Sequence, residues 1–158
     1  MIFRASLKNI RFICSIRKVS NVVGVTSKLK EVAKHILMWD FDSTTLEAVK
    51  KALKVVQYRY HLPEIQILES NNSKGNYHEY CFSRQSWQQA IVIVASTLGI
   101  DWDFVRLALY RGNFTLRISD KLGSNQPKIV STLAGQSKAD CTPEDLETFV
   151  QYEIWESK

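Results

Sequence analysis

The chain has 158 residues, of which 45% are hydrophobic and 23% charged, which is enough apolar material for one ordinary domain with a core. This composition excludes a mainly disordered chain, and six glycines with three prolines exclude a collagen-like or linker-dominated one. The cysteines, Cys14, Cys81 and Cys141, form no CxxC pair, which favours a reducing intracellular compartment over a disulfide framework or zinc knuckle. No apolar run approaches the roughly 18–20 residues of a membrane span, so we expect no membrane partner.

The net charge of +5 is unevenly distributed along the chain. The first 34 residues contain eight basic side chains and one acidic one, whereas residues 139–158 contain six acidic and one basic. A basic N-terminal segment favours a phosphate-rich partner such as nucleic acid, although a solvated charged surface has the same pattern. An acid-poor start containing Arg and Ser is also typical of a transit peptide, which the composition does not exclude.

The predicted elements begin with a half-buried strand over residues 10–16, followed by a loop or second short strand over 18–27. Residues 35–41 form an apolar run typical of a central strand. Thr44 and Glu47 form a capping box ahead of a helix that ends at residues 61–63. Two short strands, 64–70 and 77–82, then flank an Asn- and Gly-rich hairpin loop.

In the second half, Ser83 or Ser86 is predicted to cap a helix that runs to about Leu98, and 101–110 to form a further helix or mixed turn. Residues 113–119 and 128–133 are predicted strands, and residues 142–156 a last amphipathic helix. Alternation of strands and helices with one hairpin predicts a single α+β or α/β domain over residues 1–158. Its parts are the basic segment 1–34, a motif-bearing core 35–133 and the C-terminal helix.

Asp40 and Asp42 stand at the end of the predicted central strand. Because side chains alternate along a strand, both carboxylates point to one face, where they repel each other unless a cation lies between them. Mg²⁺ or Mn²⁺ prefers such oxygen ligands, so the pair is a candidate metal site. The alternative is a pair of loop or N-cap acids at the start of the next helix.

Two further groups of residues are candidates for phosphate binding. A Gly-containing turn with Lys74 precedes His78, and such a turn lets backbone amides approach a phosphate. Arg111 and Arg117 flank the start of a predicted strand, and Arg117 needs a partner because it stands between apolar residues. The alternatives are a surface hairpin histidine and an edge-strand arginine paired with a nearby acid.

Taken in order, ILMWDFD, ESNNSKGNYHEY, GIDWD and TLRIS resemble the motifs of the archaeo-eukaryotic primase superfamily. The resemblance runs from about His35 to Lys128 and implies an α+β, RRM-like primase-polymerase core, with a small mixed sheet flanked by helices. It implies that Asp40, Asp42 and Asp101 (Asp103 if the register differs) bind catalytic Mg²⁺ or Mn²⁺. It further implies that His78, with Lys74 and Arg117, contacts the phosphates of the nucleotide.

The implied activity is that of a nucleotidyltransferase, a primase or DNA polymerase acting on single-stranded DNA or RNA template with nucleoside triphosphates in replication. The resemblance also allows a replicative helicase as a partner, and the small size would suit a virus or mobile element. Two alternatives remain open. Asp40-x-Asp42-x-Thr44 also resembles the haloacid-dehalogenase-type phosphatases. A non-catalytic nucleic-acid-binding replication module would rely on aromatic stacking instead, with Tyr77, Tyr80 and Tyr110 as candidates.

Overall fold

The computed structural model describes residues 2–7, 10–15, 19–70, 75–120 and 125–154. The helices among them are α1 (Leu46–Arg59), α2 (Trp87–Ala95) and α3 (Trp102–Arg111). The strands are β1 (Ile2–Leu7), β2 (Ile10–Ser15), β3 (Val19–Leu29), β4 (His35–Phe41), β5 (Ile65–Glu69), β6 (Tyr77–Gln85), β7 (Thr115–Arg117), β8 (Lys128–Leu133) and β9 (Leu146–Ile154).

The main sheet has seven strands in the order β7-β3-β4-β6-β5-β8, with β9 also paired to β3. All the strand pairings in the described ranges are antiparallel. From β4 to β7 the chain follows the β-α-β-β-α-β succession, with α3 added after α2 and with β6 between β4 and β5. The predicted α+β class, a sheet flanked by helices, is therefore confirmed.

Helices α1 and α2 cover one face of the sheet. Trp39, fully buried on β4, donates its indole N–H to Thr97 Oγ1 just after α2, at 2.8 Å. Phe41, on the same face, lies between α1 and the end of α2. Because side chains alternate along β4, Asp40 points to the opposite face, which these helices leave uncovered. None of the helices in the described ranges is long and apolar enough to cross a membrane.

Strand β3 connects the two halves of the sheet at a buried hydroxyl. Ser27 accepts a hydrogen bond from the backbone N–H of Phe114 (3.1 Å), and its Oγ lies 2.9 Å from His35 Nδ1. Phe114 in turn stacks on Phe104 of α3 and packs against Trp87 of α2. These contacts hold α3, and therefore Asp101 that precedes it, against the start of α2 and the start of β4.

The prediction of a helix over residues 142–156 is wrong. The chain forms a short 3-10 helix over Pro143–Asp145 and then β9, which pairs with β3 from Val19 to Val25 and again at Leu29. Residues 146, 148, 150, 152 and 154 read Leu, Thr, Val, Tyr, Ile, so the segment also has the period-2 pattern of a strand. Long-range pairing with β3 selects that pattern over the helical one.

The start of α1 is one residue later than predicted. The backbone N–H of Thr44 donates to the Gly75 carbonyl at 2.9 Å, which holds Thr44 outside the helix. Thr45 is the N-cap, and its hydroxyl accepts from the Ala48 N–H at 3.3 Å. Ser86, one of the two predicted caps of α2, caps it in a complete capping box. The predicted strands at 35–41, 64–70, 77–82 and 128–133 are present.

A carboxyl group is buried under the helices. Glu79 on β6 lies opposite Trp39 of β4, on the helix-covered face, and is fully buried. Neither of its oxygens has a hydrogen-bond partner in the part of the chain that the structure describes. Burial, with a smaller contribution from the charge of Asp40, raises the pKa of Glu79 well above its usual 4.5. Glu79 is therefore protonated in the folded protein over a wide pH range.

Replacing Glu79 should remove a pH-dependent cost of folding. Since the pKa is raised in the folded state, the folded chain binds more protons than the unfolded chain above pH 4.5, and its stability falls as pH rises. We expect Glu79→Gln to match the wild type near pH 4 and to gain relative stability above it, by up to about 1.4 kcal/mol per pH unit. Urea unfolding from pH 4 to 8 measures this. The exposed Glu47→Gln variant is the control, and a pH-independent difference between Glu79→Gln and wild type would contradict the prediction.

Candidate functional site

The candidate site lies at the end of β4, on the face that α1 and α2 leave uncovered. The register of β4 with β6 places Asp40 directly opposite His78, and the imidazole Nε2 lies 3.9 Å from Asp40 Oδ1. Both side chains are mostly buried. The two residues that the sequence singled out from separate motifs are therefore cross-strand neighbours.

A third acid, Asp101, lies beside Asp40 because it begins α3. Asp101 is the N-cap of α3, where its carboxylate accepts from the Asp103 N–H at 2.9 Å, and its own N–H donates to the Asp40 carbonyl at 3.1 Å. Asp103 points away from the site, is largely exposed and pairs with Arg106 at 3.1 Å. Of the two acids left open by the sequence, Asp101 is the one that the structure brings beside Asp40.

The turn after β4 is hydrogen-bonded to the loop that connects β5 and β6. Asn76 Oδ1 accepts from the backbone N–H of Ser43 at 3.0 Å, one residue after Asp42. Gly75 has a positive φ of +108°, and a Cβ there would lie 2.9 Å from the carbonyl oxygen of Thr44. Glycine at this position thus permits the close approach that holds the Asp42 turn against the hairpin.

The three carboxylates interact electrostatically. Burial, with smaller contributions from the charges of Asp42 and Asp101, raises the pKa of Asp40 to about 7, and the charge of Arg117 opposes this shift. Partial burial and the charge of Asp101 also raise the pKa of Asp42, although that side chain lies at the exposed rim. Near neutral pH the cluster therefore holds negative charge that a cation would stabilise.

His78 is neutral at physiological pH. Burial and, to a smaller extent, the positive charge of Arg117 lower its pKa to about 4, and a hydrogen bond to the Arg117 backbone opposes them. A neutral imidazole provides one N–H donor and one lone pair. Because the Arg117 backbone takes the N–H, His78 offers a ligand a hydrogen-bond acceptor rather than a positive charge.

Arg117 joins three segments around the site. Its guanidinium donates to the backbone carbonyls of Ser70, at the start of the β5–β6 hairpin, and of Ser119, and to that of Asn125 at 3.3 Å. The predicted need of Arg117 for a partner is met by backbone carbonyls. Lys74, the other predicted cation of the nucleotide site, lies outside the described residues, and Arg111 bonds the Thr115 hydroxyl at 3.1 Å.

Tyr80 belongs to this site but was not among the predicted site residues. It lies two residues beyond His78 on the same face of β6, opposite Met38 of β4 and Gln66 of β5. Its burial, together with the charge of Asp40, raises the pKa of its phenol. The period-2 pattern of β6 places Tyr80 and His78 on one face, but sequence alone does not show that its hydroxyl would be buried near Asp40.

The donor chemistry of the site fits Mg²⁺ or Mn²⁺. Carboxylate oxygens are the ligands that these ions prefer. The pKa of Asp40 is raised mainly by burial, and the charges of Asp42 and Asp101, which a divalent cation would offset, contribute less. Within the described ranges no three His, Cys, Asp or Glu side chains already stand at metal-binding distances. Asp40, Asp42 and Asp101 would hold the ion after local side-chain adjustment, most readily at the exposed Asp42.

A groove of about 320 Å³ lies on the helix-covered side, away from the carboxylates. Its lining includes Phe41, Val55 and Leu98, with Lys51 and Arg59 as its charged members. Among the described residues that line it there is no acidic side chain and no histidine. The groove thus offers no carboxylate or imidazole for a metal ion from these residues, and the carboxylate cluster is the stronger candidate for metal-assisted chemistry.

Comparison with protein-family models, with curated proteins and with solved structures found no match to this chain.

The pKa of Asp40 is a direct test of the acidic cluster. We expect its carboxyl carbon to titrate near pH 7 in ¹³C NMR spectra. Asp101→Asn should lower that pKa, because asparagine keeps the N-cap but removes the charge. The value should remain above the usual 3.8 because burial is unchanged. Asp103→Asn is the control and should leave the pKa of Asp40 unchanged. Titration of wild-type Asp40 near pH 4 would contradict the raised pKa expected for the acidic cluster.

Proposed function

We propose that this protein is a primase-polymerase-like nucleotidyltransferase that extends nucleic acid on a single-stranded template during replication. The observation that carries the proposal is the convergence of Asp40, Asp42 and Asp101 at one end of a sheet face, with His78 directly opposite Asp40. The sequence order of these residues resembles that of the archaeo-eukaryotic primase superfamily. The β-α-β-β-α-β succession from β4 to β7 supports the same proposal.

The acids have the arrangement that metal-assisted phosphoryl transfer needs. A Mg²⁺ or Mn²⁺ ion on such carboxylates supplies positive charge to a triphosphate and helps an attacking 3′-hydroxyl lose its proton. Asp40 and Asp101 are fixed by a backbone hydrogen bond, so their carboxylates start from a defined geometry. Asp42, at the exposed rim, can move to complete the ligand set.

Other residues around the site are proposed to bind the nucleotide and the template. His78, neutral and almost fully buried, offers a lone pair that accepts a hydrogen bond from the nucleotide. Arg117 holds the hairpin and the segment after β7 in place around the phosphates, and its charge favours the ionised form of Asp40. The basic segment 1–34 supplies the charge expected to bind the backbone of single-stranded DNA or RNA.

The test is incorporation of labelled nucleotide on single-stranded DNA, with and without a primer, in Mg²⁺ or Mn²⁺. We expect the Asp40→Ala/Asp42→Ala double variant to lose at least about 100-fold in rate, since it removes two ligands that neutralise charge in the transition state. Asp103→Asn is the matched control, because this exposed acid pairs with Arg106 outside the cluster. It should retain wild-type activity.

The same samples separate the alternatives. Incorporation that survives in the double variant would overturn the assignment of these acids. Phosphate release from a phosphomonoester without incorporation would favour the haloacid-dehalogenase-type reaction on Asp40 and Asp42. Single-strand binding that persists in chelator, with neither activity, would leave a non-catalytic replication module.

A further inference from the structure

A pocket of about 420 Å³ lies at the start of β4, at the other end of the strand from Asp40. His35 and Asp40 are five residues apart on β4, which corresponds to roughly 16 Å along a strand. The end of β3, the start of α2 and Glu147 on β9 complete the walls of the pocket. The pocket is therefore separate from the carboxylate cluster, and its chemistry does not depend on the function proposed for those acids.

His35 presents a ring N–H to this pocket. The residue is only 8% exposed, and its Nδ1 lies 2.9 Å from the Oγ of the buried Ser27. That oxygen already accepts from the Phe114 N–H, so the hydroxyl proton of Ser27 goes to Nδ1, and the neutral ring then carries its own proton on Nε2. Nε2 has no partner among the described residues and is not one of the enclosed unpaired atoms, so it faces the pocket.

The imidazole of His35 is uncharged at neutral pH. Burial and, to a smaller extent, the charge of Lys28 lower its pKa from 6.5, while the charge of Glu147 opposes them. The ring thus contributes a directed N–H donor to the pocket, and the positive charge there comes from other groups.

The first turn of α2 adds two backbone donors. The capping box satisfies the N–H of Ser86 through the Gln89 side chain, at 3.1 Å, and the N–H of Gln89 through the Ser86 hydroxyl, at 3.2 Å. The N–H groups of Trp87 and Gln88 have no partner within the helix, and both residues line the pocket. The partial positive charge at the start of a helix favours an anion beside these groups.

Two lysines give the pocket an excess of positive charge. Lys28, half-buried on β3, and Lys34, exposed just before β4, line it together with one acid, Glu147. In the part of the chain that the structure describes, neither ammonium lies within ion-pair distance of a carboxylate. Both ammoniums can therefore reach a ligand anion, against the single opposing charge of Glu147.

The donors favour a phosphate group over a carboxylate. Two backbone N–H groups, one imidazole N–H and two ammoniums line the same pocket, and a phosphate offers them three terminal oxygens where a carboxylate offers two. Apolar surface lies next to these donors. Val32 is 43% exposed, and the Trp87 ring is held in place by His35 and Phe114, with ring centres 4.9 and 5.2 Å away. An organic group attached to the phosphate would pack against this surface.

We propose that this pocket binds a phosphate group carried by an organic ligand, with Lys28, Lys34, His35 Nε2 and the first N–H groups of α2 as the donors. A small phosphomonoester and the backbone phosphate of a single strand share this chemistry. They differ in charge and in the size of the attached group, so parallel titrations distinguish them.

The test is a titration of ¹⁵N-labelled protein with phenyl phosphate at low ionic strength, followed by NMR. We expect the amide signals of Trp87 and Gln88 and the ring signals of His35 to shift together. Lys28→Gln/Lys34→Gln should weaken binding at least about tenfold, because it removes two charged donors. An unchanged affinity in this double variant would overturn the assignment.

Two further variants test the role of charge. Lys51→Gln/Lys54→Gln is the matched control, because it removes the same charge from the exposed face of α1, outside the pocket. It should keep the wild-type affinity, and an equal loss in both lysine pairs would overturn the site. Glu147→Gln should strengthen binding about two- to fivefold by removing a like charge. Thermal unfolding near the wild-type temperature confirms that each variant is folded.

Benzoate and a single-stranded oligonucleotide without a terminal phosphate are titrated in parallel. Benzoate that binds as tightly as phenyl phosphate would overturn the preference for phosphate. Tighter binding of the oligonucleotide, lost with Lys28 and Lys34, would support the phosphate site and assign it to a nucleic-acid backbone. Tighter binding of phenyl phosphate would support it as a site for a small phosphomonoester. No shift at Trp87 and Gln88 with either ligand would overturn the proposal.

Discussion

The antiparallel pairing of β4 with β6 is the constraint on which both faces of the sheet depend. Residues directly opposite one another share a face, so one register puts Asp40 beside His78 and the adjacent pair, Trp39 and Glu79, on the other side. A slip of one residue would exchange the acid of the site with the tryptophan of the core. Trp39 resists that slip, because it is fully buried and bonded to Thr97.

The sequence predicts this central part well because its signals are local. The apolar run of β4, the amphipathic α1 and the glycine-containing hairpin each show a pattern within a few residues. The prediction of a C-terminal helix was wrong because the sequence of Leu146–Ile154 fits both the helical period and the period of two of a strand. Only pairing with the distant β3 decides between the two structures. The cap of α1 moved from Thr44 to Thr45 for a similar reason, since the Gly75 carbonyl that holds Thr44 is remote in sequence.

In the candidate site, too, some features follow from local sequence patterns and others only from contacts between remote residues. Asp40, Asp42 and His78 were found from strand alternation and motif order, whereas the choice of Asp101 over Asp103 needed the N-cap geometry of α3. Glu79 was not predicted as notable, and Tyr80 was predicted only as a stacking aromatic of the non-catalytic alternative, because an unpaired buried atom is a property of three-dimensional packing. Neighbouring positions on one strand thus hold a neutral histidine, a protonated glutamate and a tyrosine, each with a pKa set by burial.

The contacts of Arg117 also constrain how this sequence could diverge. The acceptors that it uses at Ser70, Ser119 and Asn125 are backbone carbonyls, which any amino acid at those positions would provide. The side chains at these three positions can therefore change while these hydrogen bonds persist. The arginine itself is not interchangeable with lysine, whose single ammonium cannot span separate carbonyls as a planar guanidinium does. Substitution at Ser70, Ser119 or Asn125 would thus leave these contacts in place, whereas substitution of Arg117 would break them together.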